Sequence, residues 1–355
     1  MCASVCAQVR RRLPHQTGVL RLFSRNPFNH RRSNDRDNDR NRTGRSGRSN
    51  GRNNDRSNGR NNDRNRGSPR NRSTRAGPDQ GGQNSDSIHS DNSDGTLFGF
   101  DSVRSCLMAN QRNLSNATLL VSDVAVNKRR KQWNELKKQM HKLQLQWAYA
   151  GRRELDEHML FDSPHNGFIL KDVGSLPVNV IATFDDAEKL VGEQKLYVWV
   201  LADRVLDPQN LGAIARSSAF FGASGVMVSA KNSAPLSPIV SKTSAGAIEW
   251  LPVVRPAGVV EFLKQQMSER QDIEVLGMSL QSDSVSVRDY KPKETTRHVV
   301  LVASNEHDGL RDAMPCTSHV TIPQAAHRSA ELAHYGVDSL NVSNAVAVVL
   351  SHLLV

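Results

Sequence analysis

Apolar positions recur at regular intervals from Leu97 onward, and their spacing predicts two α/β regions. In the first, residues 96–190, the segments LFGFDSVRSCLMANQR and NKRRKQWNELKKQMHKLQLQWAYA have apolar residues at helical intervals. TLLVSD and NGFILK have the pattern of short strands. The spacing therefore predicts a small α/β domain over residues 96–190.

A second region, residues 195–355, alternates strand-like and helix-like segments. LYVWVLADRV is an almost continuous apolar run, which is typical of a strand covered on both faces. Further strands are predicted from GVMVS, LPVV, IEVLGMSL, HVVLVAS and HVTI, and helices after Pro238, over 257–270, after Asp308 and over 339–354. This alternation predicts a parallel sheet with helices on both faces, whose ligand lies beyond the carboxyl ends of the strands.

The first 95 residues lack this patterning. Residues 33–95 consist almost wholly of Arg, Asn, Asp, Ser and Gly, which cannot bury enough apolar surface to offset the entropy of folding, so we predict a disordered segment. Residues 1–32 hold seven Arg and no acidic residue, the composition of a mitochondrial transit peptide, with an arbitrary basic tail as the alternative. No apolar run is long enough for a secretory signal or a membrane span. Two of the four cysteines lie in this leader, and the other two, Cys106 and Cys316, do not suggest a disulfide framework or a zinc site.

The net charge of +11 at pH 7 comes from the leading segment. Residues 1–95 hold 20 Arg, no Lys and 9 Asp, whereas residues 96–355 hold 27 basic and 27 acidic side chains. Any RNA-binding surface in the folded part must therefore be a local patch. The densest basic stretch, beside Trp133, contains Lys128, Arg129, Arg130, Lys131, Lys137, Lys138, Lys142, Arg152 and Arg153. A phosphate-tracking helix and a solvated helix face both fit this composition.

The first of three loops with candidate chemistry is DPQNLGAIARSSAFFGA, Asp207–Ala223. It follows a predicted strand and opens a helix, with Pro208 and Asn210 shaping the turn. Gly212 permits close backbone approach. Arg216 follows on the helix, where it suits phosphate binding or is an ordinary surface residue.

The second and third loops also follow or precede apolar elements. VLVASNEHDGL ends a strand in small and polar residues before Glu306 and Gly309, with an ordinary connection capped by Asp308 as the alternative. DSLNVSNAVAVVL places four polar residues at the start of an apolar helix: Ser339, Asn341, Ser343 and Asn344. Capping accounts for one or two of them, and the number of polar groups on so apolar a helix favours a functional role in hydrogen bonding.

In order and spacing, these loops resemble the three signature motifs of the SpoU family of RNA 2′-O-ribose methyltransferases, within the knotted SPOUT class. VSKTSAGAIEWLPV resembles the segment that follows the first motif, and the leader fits the family's mitochondrial ribosomal-RNA branch. The resemblance covers residues 97–355. It implies an L30e-like RNA-binding domain over 96–190, a catalytic domain with a C-terminal trefoil knot over 195–355, and a homodimer.

The resemblance also implies the reaction and its residues. S-adenosyl-L-methionine would methylate a ribose 2′-hydroxyl, of a guanosine in large-subunit rRNA of the mitochondrial matrix, with no metal. Arg216 would accept or manage the hydroxyl proton, or position the ribose and phosphate electrostatically, and Asn210 would orient Arg216 and the RNA. Glu306 would anchor the second loop, and Ser339 and Asn341 would position the nucleophile and cofactor. The implied cofactor-binding residues are Val302, Ala303, Ser304, Asn305, Gly309, Ile322 and Leu340.

Two positions depart from the family pattern. Ser304 and His307 stand where the family usually has glycine, in a loop where backbone approaches the cofactor closely, so their side chains are expected to restrict the pocket or the backbone angles. A non-catalytic RNA-binding assembly factor of the mitochondrial ribosome is therefore one alternative, against which the complete set of motif residues argues. A tRNA 2′-O-ribose methyltransferase is another, and it differs only in substrate.

Overall fold

The structure, a computed structural model, describes residues 95–159, 164–280, 283–305, 309–325, 334–335 and 339–355. The predicted transit peptide at 1–32 and all but the last residue of the predicted disordered segment at 33–95 lie outside the described residues. Glu306 and His307 also lie outside them. Within the described ranges, no helix is long and apolar enough to cross a membrane.

Four short strands form a small mixed sheet: β1 (Leu97–Phe98), β2 (Thr118–Val121), β3 (Gln146–Tyr149) and β4 (Phe168–Lys171). The strand order is β1-β4-β2-β3, with β2 and β3 parallel and the other pairs antiparallel. Four helices accompany this sheet: α1 (Phe100–Ala109), α2 (Asp123–Lys128), α3 (Arg130–Leu143) and α4 (Arg152–Glu157). The strands predicted from TLLVSD and NGFILK are confirmed as β2 and β4.

The two helices predicted for this region are each wrong at one end, where the structure has a strand. Helix α3 ends at Leu143 because Gln144 takes a left-handed conformation, with φ 53° and ψ 30°. The following residues, QWAY, form β3 and pair with β2. At the other end, Leu97–Phe98 is a strand because Gly99, with φ 90°, separates it from α1. Apolar spacing over two to four residues fits a strand as well as a helix, and pairing decides between them.

Eight strands form the larger sheet: β5 (Asn179–Ile181), β6 (Tyr197–Asp203), β7 (Gly225–Val228), β8 (Val253–Pro256), β9 (Ile273–Met278), β10 (Val285–Ser286), β11 (His298–Ser304) and β12 (Ser318–Thr321). Their order is β10-β12-β9-β11-β6-β7-β8-β5, and every neighbouring pair is parallel. All seven residues of β6 are buried, because the strand is apolar on both faces and lies inside the sheet. The predicted parallel α/β fold is confirmed.

The helices of the larger sheet are α5 (Phe184–Val191), α6 (Pro208–Phe221), α7 (Pro238–Thr243), α8 (Val259–Glu269) and α9 (Val342–Leu354), with a 3₁₀ helix at Ala247–Glu249. The predicted last helix is confirmed, although it begins three residues later than expected because Asn341 is its N-cap. Strands β5 and β10 were not predicted. β5 and all but the last residue of α5 fall within residues 96–190, which the sequence analysis assigns to the first domain, yet β5 pairs with β8 of the larger sheet.

The short helix predicted after Asp308 is wrong over its described part. Residues 309–317 form turns and bends. One turn closes where the Met314 N–H donates to the Arg311 carbonyl at 2.9 Å. Pro315 follows directly, and a proline has no N–H with which to extend such a turn into a helix.

A buried ion pair joins the segment that follows α1 to the 3₁₀ helix Ala247–Glu249. Arg112, shortly after α1, donates from Nε and Nη2 to Oε2 and Oε1 of Glu249 at 2.9 and 2.8 Å. The side chains are 5% and 1% exposed. Arg112 Nη1 also donates to the Gly174 carbonyl at 3.2 Å, and Ser241 Oγ donates to Glu249 Oε1 at 3.0 Å. Each charged group is therefore almost fully hydrogen-bonded inside the protein.

Candidate active site

The first motif forms the link between β6 and α6. Asp207 is the N-cap of α6, and its side chain accepts a hydrogen bond from the Gln209 N–H at 2.9 Å. Pro208 occupies the first turn, where a missing N–H costs nothing. A Cβ at Gly212 would lie 2.7 Å from Thr243 Cβ. The close approach predicted at Gly212 is thus made by α7 packing against α6.

The first and third motifs meet through two asparagine side chains. Asn341 Nδ2 donates to Asn210 Oδ1 at 3.0 Å, across 131 residues of sequence. The other end of the Asn341 amide caps α9, since its Oδ1 accepts from Ser343 N at 3.0 Å and from Ser343 Oγ at 2.6 Å. Both ends of the amide are held, so Asn341 fixes the start of α9 against the start of α6. Asn344, the fourth polar residue of the motif, is exposed.

Arg216 lies on α6, exposed to solvent. It is six residues beyond Asn210, which corresponds to about 9 Å along a helix axis. It is therefore in the third turn, away from the free N–H groups of the helix start. Among the described residues, no hydrogen bond or ion pair engages its guanidinium. The structure thus leaves five N–H donors of Arg216 available for a ligand without linking them to Asn210 or Asn341.

The second motif begins at the end of β11. Val302 and Ala303 are fully buried, and Ser304 pairs in register with Asp203 of β6. The Ser304 hydroxyl is buried and has no hydrogen-bond partner within the described part of the chain. Ser304 is not among the residues with positive φ, so the backbone strain expected from replacing glycine does not arise at this position. Gly309 does have a positive φ, 64°, and its N–H donates to the Asn305 carbonyl at 3.0 Å.

A buried carboxylate to which the sequence analysis gives no role holds the far side of this loop. Asp203, the last residue of β6, is 0% exposed. Arg311 donates to its two oxygens from Nε at 3.0 Å and from Nη2 at 2.5 Å. Arg204 also contacts the carboxylate, at 3.5 Å, and donates from Nη2 to the Gly309 carbonyl at 2.8 Å. Asp203 and its two arginines therefore tie the end of β6 to residues on the far side of the second motif.

Two apolar residues border the same edge of the sheet. Ile322 follows β12, is partly buried and packs against the core of the larger sheet. Leu340, directly before the N-cap of α9, is 49% exposed. Ser339, one residue before Leu340, is not free, because it already interacts with other groups of the protein. The predicted site residues that the structure describes thus lie at or after the carboxyl ends of β6, β11 and β12, or at the starts of α6 and α9, except Arg216 further along α6.

Of the two cysteines among the described residues, Cys106 is buried and Cys316 is partly buried. Cys106 and Cys316 are free thiols. Burial raises the pKa of Cys316 to about 11 and that of Cys106 to about 12, so both are protonated at neutral pH. Across the described residues there is no group of three or more His, Cys, Asp or Glu placed to hold a metal ion.

Comparison with known proteins gives a family match over the larger sheet. Residues 197–351 match the SpoU rRNA Methylase family. The chain is 30% identical over 213 residues to "rRNA methyltransferase 1, mitochondrial" of Dictyostelium discoideum, covering 54% of this chain and 39% of that protein. It is 28% identical over 289 residues to the protein of the same name from Schizosaccharomyces pombe, covering 73% of this chain and 89% of that protein. The chain thus spans only about two fifths of the Dictyostelium relative.

The fold also matches solved structures. The AdoMet-bound rRNA methyltransferase from Sinorhizobium meliloti superposes with a TM-score of 0.53 at 21% identity, covering 72% of this chain and 85% of that one. The SpoU methyltransferase AviRb from Streptomyces viridochromogenes gives a TM-score of 0.53 at 22% identity, covering 73% of this chain and 88% of that one. Both likenesses concern the fold.

Proposed function

Because residues 197–351 form a domain of the SpoU rRNA Methylase family, we propose that this protein transfers a methyl group from S-adenosyl-L-methionine to a ribose 2′-hydroxyl of RNA. The observation that carries the proposal is the hydrogen bond from Asn341 to Asn210. It brings the first and third motifs together at the carboxyl edge of the sheet, where open parallel sheets bind their ligands.

The residues at this edge fit the cofactor. The buried Ser304 hydroxyl lacks a partner among described residues, and a ligand would provide one. The half-exposed Leu340 and partly buried Ile322 offer apolar contact suited to a nucleoside. We propose that the cofactor is held by Val302, Ala303, Ser304, Asn305, Gly309, Ile322 and Leu340. When bound, its sulfonium supplies an activated methyl group.

The side chains around it would then manage the hydroxyl. A ribose hydroxyl is a very weak acid, so attack on the methyl group needs stabilisation of the developing alkoxide and in-line alignment. Because guanidinium groups as a class do not act as bases in proteins, we assign Arg216 electrostatic stabilisation of the 2′-oxygen and the adjacent phosphate. Asn210 would orient the RNA, while Asn341 and Ser339 would position the nucleophile. We assign Glu306 the anchoring of the second motif.

The substrate and setting are part of the same proposal. The names of the Dictyostelium and Schizosaccharomyces relatives support a mitochondrial rRNA substrate. We propose a guanosine of the large-subunit rRNA, methylated in the matrix after import directed by residues 1–32. We further propose a homodimer, a trefoil knot involving α9, and an L30e-like RNA-binding domain over residues 96–190.

The test is mapping of ribose methylation in mitochondrial rRNA and tRNA with and without the protein, together with calorimetric binding of S-adenosylmethionine to the full chain. Loss of one rRNA 2′-O-methyl mark together with cofactor binding is the expected result. A lost mark in tRNA would reassign the substrate. No lost mark and no cofactor binding would replace the proposal by the non-catalytic assembly factor.

Variants separate the roles. Arg216→Ala is expected to abolish methylation with an unchanged urea midpoint, whereas Lys264→Ala, an exposed residue of α8, is expected to change neither. Asn341→Ala removes both the cap of α9 and the bond to Asn210, so it should also lose roughly 1 kcal/mol of stability. Asn341→Asp keeps the capping oxygen but loses the donor, so it should keep stability and lose activity. Wild-type activity in any of these site variants would remove that residue from the mechanism.

A further inference from the structure

The outer edge of the small sheet carries exposed aromatic rings. Among the residues that the structure describes, β3 is an edge strand and pairs with β2 alone. Trp147 and Tyr149, two residues apart, project from the same face of β3. They are 38% and 56% exposed, and their ring centroids lie 5.4 Å apart at 81°. The two rings touch, and a contiguous exposed apolar patch is the kind of surface that marks an interaction site.

Trp147 is held in place from beneath. The buried Trp133 of α3 contacts it edge-on, with centroids 5.2 Å apart. Residue 147 is also in register with Leu119 of β2. The indole ring is therefore fixed before any ligand arrives, which reduces the entropy lost on binding.

The helix beside β3 carries a strong positive charge. α3 holds one acidic residue, Glu135, and five exposed cations: Arg130, Lys131, Lys137, Lys138 and Lys142. In the described part of the chain, none of these five forms an ion pair. The two arginines of α4 differ, because Arg152 and Arg153 face Asp156 and Glu157 at 3.7 and 3.2 Å. The uncompensated charge is thus concentrated on α3.

Trp147 and basic residues of α3 line two adjoining grooves, and Tyr149 lies beside Trp147 on β3. A groove of about 520 Å³ is lined by Trp147, Lys137 and His141 together with residues of the α3–β3 turn. An adjoining open groove is lined by Lys138 and Lys142, and it shares Lys137 and His141 with the first. Because the two grooves share these residues, they form a continuous surface that runs from the ring of Trp147 across α3.

We propose that this surface, Trp147 and Tyr149 with Lys137, Lys138, His141 and Lys142, binds single-stranded RNA. The rings would stack on unpaired bases and the lysines would contact phosphates, the combination that fits single strands. A duplex would not serve, because its bases are already stacked and their faces are hidden. An apolar protein surface is disfavoured, because covering α3 would remove its unpaired lysines from water. The inference rests on the proposed function for the identity of the nucleic acid, and it adds a contact outside the methylation site.

The test measures binding of a labelled single-stranded RNA to the full chain by fluorescence anisotropy, without S-adenosylmethionine, over a series of KCl concentrations. Trp147→Leu and Tyr149→Leu should each weaken binding roughly 5- to 100-fold, and Trp147→Phe should restore most of it. Lys137→Gln with Lys138→Gln should reduce the slope of log affinity against log salt by about 1.4. Lys264→Gln on α8 is the matched control and should change nothing.

The outcomes distinguish this inference from the proposed function. Wild-type binding in all the α3 and β3 variants would overturn the inference, even in a chain that methylates RNA. Loss of binding in these variants would support it, even in a chain that methylates nothing. Variants that leave RNA binding unchanged but alter the sedimentation of the free protein would instead make this edge a contact between copies, and would also overturn the inference.

Discussion

The ion pair between Arg112 and Glu249 is expected to be one of the most sensitive points of the structure. Replacing Arg112 by Met keeps much of the side-chain volume and removes the three donors that reach Glu249 and Gly174. The Glu249 carboxylate, 1% exposed, then keeps only the hydroxyl of Ser241 at 3.0 Å. A buried carboxylate with a single neutral donor is strongly destabilised relative to water.

The size of the effect follows from this environment. Removing one partner of a buried pair costs about 3–5 kcal/mol, which for a folded unit of this length lowers the melting temperature by roughly 6–20 °C. Glu249→Leu should cost a similar amount, because Arg112 is then left without a counter-charge. Arg112→Met combined with Glu249→Leu should cost much less than the two single changes together, because an apolar pair of similar volume often substitutes for a buried ion pair.

Urea unfolding of the full chain, followed by tryptophan fluorescence, gives the free energy of unfolding of the wild type, the two single variants and the double variant. The reasoning fails if Arg112→Met loses less than about 1 kcal/mol. It also fails if the double variant is as unstable as the sum of the two single variants, since the cost would then come from lost volume rather than from an unpaired charge.

Three further predictions concern other parts of the molecule. Asp203→Asn should lower the free energy of unfolding by roughly 2–4 kcal/mol and weaken S-adenosylmethionine binding in calorimetry, because Arg311 and Arg204 lose their shared carboxylate. Unchanged values of both quantities would mean that the second motif does not depend on Asp203. Burial lowers the pKa of His298 in the folded chain, so the unfolded chain binds the proton more readily and the free energy of unfolding should fall as the pH drops below about 6.5. His298→Phe should flatten this part of a plot of urea midpoint against pH. An unchanged slope would assign the pH dependence to other groups. Gly246→Ala should lower the free energy of unfolding by roughly 2–4 kcal/mol, because φ is +76° and the new Cβ would lie 2.4 Å from Ser105 Cβ. Gly151→Ala is the control, since a Cβ there meets nothing within 4 Å and should change the stability little. Equal melting temperatures for the two variants would contradict this reasoning.

The parallel sheet could be predicted because its central strands are unmistakable. β6 and β11 are continuous apolar runs, and this pattern alone implies a strand covered on both faces. Short edge strands give no such signal. β10 has two residues and β5 has three, too few for the sequence to predict them, and the apolar spacing of QWAY fits the end of a helix as well as a strand. In each case the strand exists because a neighbouring strand supplies its hydrogen bonds, which the local sequence does not contain.

The sequence likewise identifies some residues of the candidate site and not others. Motif order was enough to select Asn210 and Asn341, and the structure joins them. Asp203 was overlooked because its role depends on Arg311, 108 residues later, and no spacing rule links two such positions. The only local sign is an aspartate at the end of an otherwise apolar strand, which fits a loop residue equally well.

The contact between Asn210 and Asn341 also sets an order of events during synthesis. The 131 residues between them take roughly 7–26 s to translate at ordinary rates. Throughout that interval the start of α6 exists without its partner, however early β6 and β7 fold together. A ribosome that stalls or a protease that cuts before residue 341 therefore leaves a chain whose central sheet is largely present but whose two asparagines never meet. Such a fragment would retain the exposed edge of β3, so it would be expected to occupy RNA without modifying it and to compete with the complete protein for the same strand.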